Sequence, residues 1–170
     1  IGSFDGVHLG HQAILNQVKA VAAELGLPSV VMTFEPQPQE FFSGERAPAR
    51  LMRLREKVEA LFEFGVDQVL CLQFNRELRN LTAAEFVRSV LVDGLGTRHL
   101  IVGDDFRFGA KRAGDYSMLD AAGQRLGFDV ARMNSYEVHG LRVSSSAVRE
   151  ALAKGDMHGV TRLLGRPYSI

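Results

Sequence analysis

The chain has 170 residues, a length that fits one ordinary domain with a sizeable core. Lysine plus arginine number 20, as do aspartate plus glutamate, so the zero net charge gives no reason to expect a nucleic acid or a membrane as partner. Cys71 is the one cysteine and lies in an apolar run, which excludes an intrachain disulfide and predicts a core side chain in a cytoplasmic protein.

Hydrophobic periodicity predicts helices and strands in alternation along the chain. Helices are expected over residues 10–25, 50–64, 83–92, 116–125, 146–154 and 158–164. Strands are expected over 29–34, 67–72, 100–102 and 128–133, and the first two of these are expected to be buried. Because parallel strands need crossover connections, this order predicts a Rossmann-like, doubly wound, mainly parallel sheet. Ligands bind such sheets beyond the carboxyl ends of the strands, so the loops that follow strands are the candidate sites.

The loop before the first helix is rich in glycine and histidine. Its three glycines and two histidines are Gly2, Gly6, Gly10, His8 and His11. Glycine lets the backbone approach a ligand, and the free N–H groups of a helix start receive an anion. Histidines three residues apart bring both imidazoles near one spot, where they donate hydrogen bonds to phosphate oxygens. The loop is therefore predicted to bind phosphate.

Two other interpretations of this loop are a zinc site and a purely structural turn. Zinc would need a third ligand, and the other histidines, His99, His139 and His158, lack metal-type spacing. No Gly-Lys-Ser/Thr follows, which excludes a P-loop, and the glycine spacing of a dinucleotide-binding fingerprint is absent, which excludes that motif.

A mixed aromatic and charged segment follows the strand expected over 100–102. Phe106 and Phe108 point the same way in an extended chain and offer an apolar surface beside Asp105 and Arg107. Packing of both rings in the core is the alternative.

A run of serines, Ser144, Ser145 and Ser146, opens the helix expected over 146–154. Serine hydroxyls and free N–H groups at a helix start bind phosphate or simply cap the helix. Arg149 lies one turn further along, where a cation is unfavourable for the helix dipole unless an anion is bound. The match with the first loop favours phosphate binding over plain capping.

The His-x-Gly-His pattern of residues 8–11 resembles the nucleotidyltransferase superfamily. The longer string Phe-Asp-Gly-Val-His-Leu-Gly-His, over residues 4–11, is similar to the FAD synthetase module of bacterial bifunctional riboflavin kinase/FAD synthetases. Residues 33–38, 102–109 and 144–149 resemble further motifs of that module in the same order. Two positions depart from its pattern: Gln37 stands where histidine is common, and Ser146 stands at a threonine position.

This resemblance implies an enzyme that transfers AMP from ATP to FMN, giving FAD and pyrophosphate, with Mg²⁺ held largely by phosphate oxygens. It implies three catalytic residues, His8, His11 and Arg149. The ATP phosphates are expected to lie against Gly2, Phe4, Asp5, Gly6, Gly10, Ser144, Ser145 and Ser146. Contacts to flavin or nucleotide are expected from Asp105, Phe106, Arg107 and Phe108.

The resemblance also implies a domain organisation. Residues 1–164 form the adenylyltransferase domain, and residues 165–170 begin a linker towards a riboflavin kinase domain in cis. Because the sequence starts at Ile1 without a methionine, it is expected to be a fragment of something larger. The alternatives are an adenylyltransferase for another phosphorylated acceptor and a module that senses flavin or nucleotide without turnover.

Overall fold

The computed structural model describes residues 1–170. Contacts between residues divide the chain into two compact units, each built from both helices and strands. The first unit comprises Ile1–Leu72 and Ser135–Ile170, and the second comprises Gln73–Asn134. The predicted α/β class is confirmed.

Helices and strands alternate along most of the chain, with helices prevailing at its C-terminal end. In chain order the α-helices are α1 (Leu9–Leu25), α2 (Pro38–Ser43), α3 (Leu54–Glu63), α4 (Arg76–Asn80), α5 (Ala83–Phe86), α6 (Tyr116–Leu126), α7 (Ser145–Ala153) and α8 (Met157–Leu164). A π-helical segment, Val87–Gly94, continues α5, and short 3₁₀ turns cover Gly44–Arg46 and Ala110–Arg112. None of these helices combines the length and apolar character needed to cross a membrane.

The strands are β1 (Val30–Glu35), β2 (Gln68–Gln73), β3 (His99–Gly103), β4 (Asp129–Met133), β5 (Glu137–Val138) and β6 (Leu141–Arg142). β3 and β4 pair in parallel, in a register that runs from His99 opposite Asp129 to Gly103 opposite Met133. β1 pairs with β2, and β5 forms a short antiparallel hairpin with β6. The parallel pair joined through α6 is the βαβ connection that the alternating pattern predicts.

Two parts of the sequence interpretation are corrected by β2. The prediction that this strand is buried on both faces is wrong, because exposed and half-buried side chains share it. Val69 packs against the core of the first unit, whereas Gln68 and Gln73 at its ends are exposed. Cys71 is also exposed, so the expectation of a core side chain there is wrong. A short apolar run alone does not reveal whether a strand has neighbours on both faces.

Local hydrogen bonds explain where the structure departs from the predicted helix bounds. α3 begins at Leu54 rather than at residue 50, because the N–H groups of Leu51 and Met52 bind the Asp5 carboxylate instead of opening the helix. α2 and α4 form in segments for which the periodicity predicts no helix. The Asn75 side chain caps α4 by accepting the Leu78 N–H, which suits a helix too short to show periodicity.

The loop of residues 2–11 is part of the hydrophobic core. Phe4 is 4 % exposed and Val7 is fully buried, and both belong to a cluster completed by Leu15, Val31, Ala60, Leu61 and Val66. A second cluster, of residues 51, 143, 148, 160, 163 and 164, packs α7 against α8 in the same unit. Burying a side chain such as Val7 stabilises the fold by about 1.5–3 kcal/mol. The loop is therefore anchored by its own apolar side chains.

Candidate active site

The backbone of the glycine-rich loop is held in a strained conformation. Phe4 and Val7 have positive φ angles of 51° and 40°, which side chains larger than glycine rarely adopt. Gly6 has a φ of 88°, and a Cβ there would lie 2.8 Å from the Leu51 side chain. Such strain costs about 1–3 kcal/mol for each non-glycine residue and persists only where the surroundings fix it. Strained loops of this kind cluster at functional sites.

The two histidines meet at the start of α1. Their rings stack with centroids 3.6 Å apart and planes 15° from parallel, which confirms the prediction that the spacing brings both imidazoles near one spot. Nδ1 of His8 accepts the N–H of His11 at 3.3 Å and so caps α1. In the neutral tautomer that this bond requires, Nε2 of His8 carries the proton and acts as a donor. Gly10 fits beside them, since a Cβ there would lie 3.1 Å from the His8 ring.

The site disfavours positive charge on both imidazoles. Burial lowers the pKa of His8 to about 4, against the opposing effect of Asp5. The pKa of His11 lies well below its ordinary value because of burial, with His8 and then Lys57 acting in the same direction. Nδ1 of His11 is buried without a hydrogen-bond partner. Both rings are thus neutral at pH 7, and an anion placed against them would raise both pKa values.

Lys57 is a buried cation next to this loop that the sequence interpretation did not identify. Its side chain is fully buried, and its Nζ donates to the Ser3 carbonyl at 2.9 Å. Thr33 donates to the same carbonyl at 3.3 Å. Burial lowers the pKa of Lys57. The signal in the sequence is a lysine three residues after Leu54 and four before Leu61, on the apolar face of α3.

Asp5 connects the glycine-rich loop to α7. Its buried carboxylate accepts the N–H groups of Leu51 and Met52, each at 3.1 Å, and pairs with Arg149 at 2.6 Å. Its carbonyl accepts the Ser145 hydroxyl at 2.8 Å. The Asp5 carboxylate therefore already accepts hydrogen bonds from Leu51, Met52 and Arg149, and these bonds hold the three residues in place.

The serine-rich helix start lies against the same loop. Ser144 caps α7 by accepting the Ala147 N–H at 3.1 Å, while Ser146 is exposed. Arg149 donates to the Ala49 carbonyl at 2.6 Å as well as to Asp5, and one-fifth of its side chain remains exposed. The two predicted helix starts thus converge, and Asp5 connects the loop to Arg149 and Ser145.

The C-terminal residues also reach the glycine-rich loop, which the sequence interpretation did not anticipate. Arg166 donates to the Gly6 carbonyl at 2.7 Å and to the Val7 carbonyl at 3.0 Å. The Gln12 amide donates to Val7 and to Leu164, at 3.0 and 2.8 Å. The contacts of Arg166 with the loop span 159 and 160 positions and that of Gln12 with Leu164 spans 152, so no local pattern signals them.

The segment that ends β1 and leads into α2 is partly buried. Thr33 is fully buried, and Gln37 is 5 % exposed, with its Nε2 atom lacking a hydrogen-bond partner. Glu35 forms an ion pair with Arg50 at 2.6 Å, and Arg50 also binds Glu40. Gln37 caps α2 through its backbone, where Glu40 supplies the reciprocal bond at 3.1 Å.

The segment of residues 105–108 belongs to the second unit. Phe106 and Phe108 stack with centroids 5.7 Å apart and planes 11° from parallel, which confirms that they point the same way. Phe108 is 7 % exposed and exchanges backbone hydrogen bonds with Gly114, so it is part of the core. Phe106 is half-buried, while Asp105 and Arg107 are exposed, and Arg107 lies 3.8 Å from Asp115. No group of three or more His, Cys, Asp or Glu residues with metal-binding geometry is found in residues 1–170.

Comparisons with known proteins agree on one family. The family model for FAD synthetase matches residues 1–147. The bifunctional riboflavin kinase/FMN adenylyltransferases of Pseudomonas fluorescens and Escherichia coli K12 are 58 % and 49 % identical over 170 residues, all of this chain and 54 % of theirs. The chain therefore spans about half the length of these relatives. A crystal structure described as a macrolide-efflux protein from Streptococcus pneumoniae superposes with a TM-score of 0.87 at 26 % identity, over 99 % of this chain and 54 % of that one.

Proposed function

Because the chain belongs to the FAD synthetase family, we propose that it is the part of an FMN adenylyltransferase that transfers AMP from ATP to FMN. A phosphate oxygen of FMN attacks the α-phosphorus of ATP, the bond to the bridging α,β-oxygen breaks, and pyrophosphate leaves. The attacking oxygen is already anionic at neutral pH, so no general base is needed. Catalysis then consists of alignment and of neutralising charge on the transferred group and on pyrophosphate.

The observation that carries this proposal is the stacked pair His8 and His11 at the capped start of α1, next to the start of α7. We assign both histidines as donors to the triphosphate, each through a ring that is neutral before ATP binds. Arg149 would act after exchanging part of its contact with Asp5 for a phosphate oxygen. The phosphates would lie along Gly2, Phe4, Asp5, Gly6 and Gly10, with Ser144, Ser145 and Ser146 at the second helix start.

Magnesium is proposed to arrive with the triphosphate. Mg²⁺ usually keeps several waters and binds through substrate phosphates rather than through an all-protein cage. The one carboxylate buried at this loop, Asp5, already accepts bonds from Leu51, Met52 and Arg149. When bound, the ion would offset the negative charge of the departing pyrophosphate.

The finer architecture and the flavin contacts belong to the same proposal. The parallel pair of β3 and β4 supports a doubly wound sheet of the HxGH nucleotidyltransferase type. Asp105, Phe106 and Arg107 are accessible for flavin or nucleotide, with Phe108 supporting Phe106 from the core. Residues 1–164 would form the adenylyltransferase domain, and 165–170 would lead towards a riboflavin kinase in cis, in a cytoplasmic protein.

The test is to incubate the intact protein with ATP and Mg²⁺, offering FMN, phosphopantetheine or nicotinamide mononucleotide as acceptor. The proposal is supported if, of the three acceptors, only FMN leads to release of pyrophosphate, and if FAD forms in equal amount. Release with another acceptor would assign a different transferase, and tight flavin binding with no release would assign a sensing module. The His11→Ala variant should lower kcat much more than flavin affinity. Equal losses in both would contradict the role given to His11.

A further inference from the structure

The last residues of the chain contact the glycine-rich loop. They lie outside residues 1–147, which the family model matches. The guanidinium of Arg166 binds two successive carbonyls, Gly6 at 2.7 Å and Val7 at 3.0 Å. A planar guanidinium with a fixed fork of donors suits such a pair better than an ammonium group does. Val7, whose φ is 40°, is one of the strained residues of the loop. Arg166 therefore contacts the loop where its backbone needs external support.

The surroundings of Arg166 favour a role beyond simple surface packing. Its side chain is partly buried, and this burial lowers its pKa. Its nitrogen atoms donate to carbonyl oxygens and to the Met52 sulfur, at 3.7 Å, rather than to a carboxylate. Its hydrogen bonds thus go to neutral acceptors, while the nearby Glu63 carboxylate opposes the lowering of its pKa.

Gln12 and Tyr168 form further hydrogen bonds between the C-terminal residues and the glycine-rich loop or its neighbour Leu51. The Gln12 amide bridges the Val7 and Leu164 carbonyls, joining the first turn of α1 to the end of α8. The Tyr168 hydroxyl donates to the Leu51 carbonyl at 3.2 Å, and the Leu51 N–H donates to Asp5. Gly165 permits the end of α8 to lie close to the start of α1, since a Cβ at Gly165 would lie 2.7 Å from the Leu9 side chain.

We propose that Arg166 is a positioning residue for adenylyl transfer, holding the Gly6 and Val7 carbonyls so that His8 stays fixed at the start of α1. This inference rests on the proposed function for its catalytic readout. His8 directly follows Val7, so freedom in the Val7 peptide moves the cap of α1 and the ring stacked on His11. A displacement of about 1 Å in a site that works by alignment lowers turnover by roughly 100-fold.

The test compares Arg166→Ala with Arg162→Ala, an exposed arginine one turn earlier on α8, in the intact protein. We expect Arg166→Ala to lower kcat by roughly 10- to 100-fold with the KM for FMN changed less than about twofold, measured well below its melting temperature. Arg166→Lys, which keeps the charge but not the fork, should recover part of this loss. Arg162→Ala should match the wild type.

Hydrogen exchange of the backbone amides provides a readout that does not depend on activity. Exchange in the peptide covering residues 2–11 should accelerate in Arg166→Ala and stay unchanged in Arg162→Ala. If the wild type makes no FAD, the proposed function fails, while this exchange still decides whether Arg166 holds the loop. A lower melting temperature with unchanged kcat and unchanged loop exchange would overturn the inference.

If Arg166→Ala does not fold, Arg166→Lys and Tyr168→Phe decide the question. Tyr168→Phe removes only the bond to the Leu51 carbonyl. A reduced kcat with faster loop exchange in Arg166→Lys, and a smaller effect in Tyr168→Phe, supports the inference. Wild-type values of both quantities in Arg166→Lys would overturn it.

Discussion

Replacing Asp5 by asparagine tests whether one buried carboxylate holds the site together. The carboxylate is 2 % exposed and accepts the Leu51 and Met52 N–H groups and the Arg149 guanidinium. Asparagine keeps the volume, but it removes the charge and turns an NH₂ donor towards at least one of these donors. A hydrogen bond to a charged group contributes about 1.5–3 kcal/mol, against about 0.5–1.5 for a neutral pair.

The expected loss follows from the three bonds. A loss of about 1 kcal/mol for each gives roughly 3 kcal/mol, the lower end of the range for breaking a buried ion pair. The lower end applies because Arg149 is 21 % exposed and regains water when its partner is lost. For a chain of this size we expect the melting temperature to fall by roughly 6–12 °C.

Urea unfolding followed by circular dichroism measures the change in unfolding free energy. The control is Asp67→Asn, because Asp67 also accepts two hydrogen bonds, both from Ser29, but is exposed. That variant should lose clearly less stability than Asp5→Asn, because water replaces the lost bonds at an exposed carboxylate. A loss below about 0.5 kcal/mol in Asp5→Asn would refute the view that Asp5 organises the site.

Three further predictions concern other parts of the site. Lys57→Met should leave the melting temperature in thermal unfolding unchanged or slightly raised, because a fully buried charge is removed. The folded pKa of His8, about 4, lies below its unfolded value of 6.5, so the unfolded chain takes up the proton first as pH falls. The free energy of unfolding should therefore drop by about 1 kcal/mol between pH 6.5, where the unfolded imidazole is half protonated, and pH 5.5. Urea unfolding at both pH values checks this, and the drop should be smaller in His8→Asn. Gly6→Ala should cost more than Gly26→Ala in thermal unfolding: both have positive φ, but a Cβ at Gly6 meets Leu51 at 2.8 Å and one at Gly26 meets nothing within 4 Å.

The sequence predicts the parts of the site that are encoded locally. The proximity of His8 and His11 follows from their spacing at a helix start, and the capping by Ser144 follows from a serine run before an apolar pattern. The helices α1 and α6 are found within one residue of their expected bounds for the same reason. Local spacing and periodicity suffice for these features.

The features that sequence patterns did not predict depend on distant contacts. The bonds from Arg166 to the loop and from Asp5 to Leu51 join residues far apart in the chain, and no spacing rule describes them. The exposure of Cys71 depends on what packs on β2, which its apolar neighbours do not reveal. Lys57 was detectable in principle, as a charged residue on an apolar helix face.

The central claim is that the two stacked imidazoles promote transfer of AMP to FMN, and phosphorus labelling tests it most directly. With ATP labelled at the α-phosphorus, FMN and Mg²⁺, the wild type should place the label in FAD and release one unlabelled pyrophosphate per FAD. His11→Asn should reduce the rate of labelling by at least about 100-fold, and Arg162→Ala should leave it unchanged. Absence of labelled FAD from the wild type, or labelling at the wild-type rate by His11→Asn, would contradict the account.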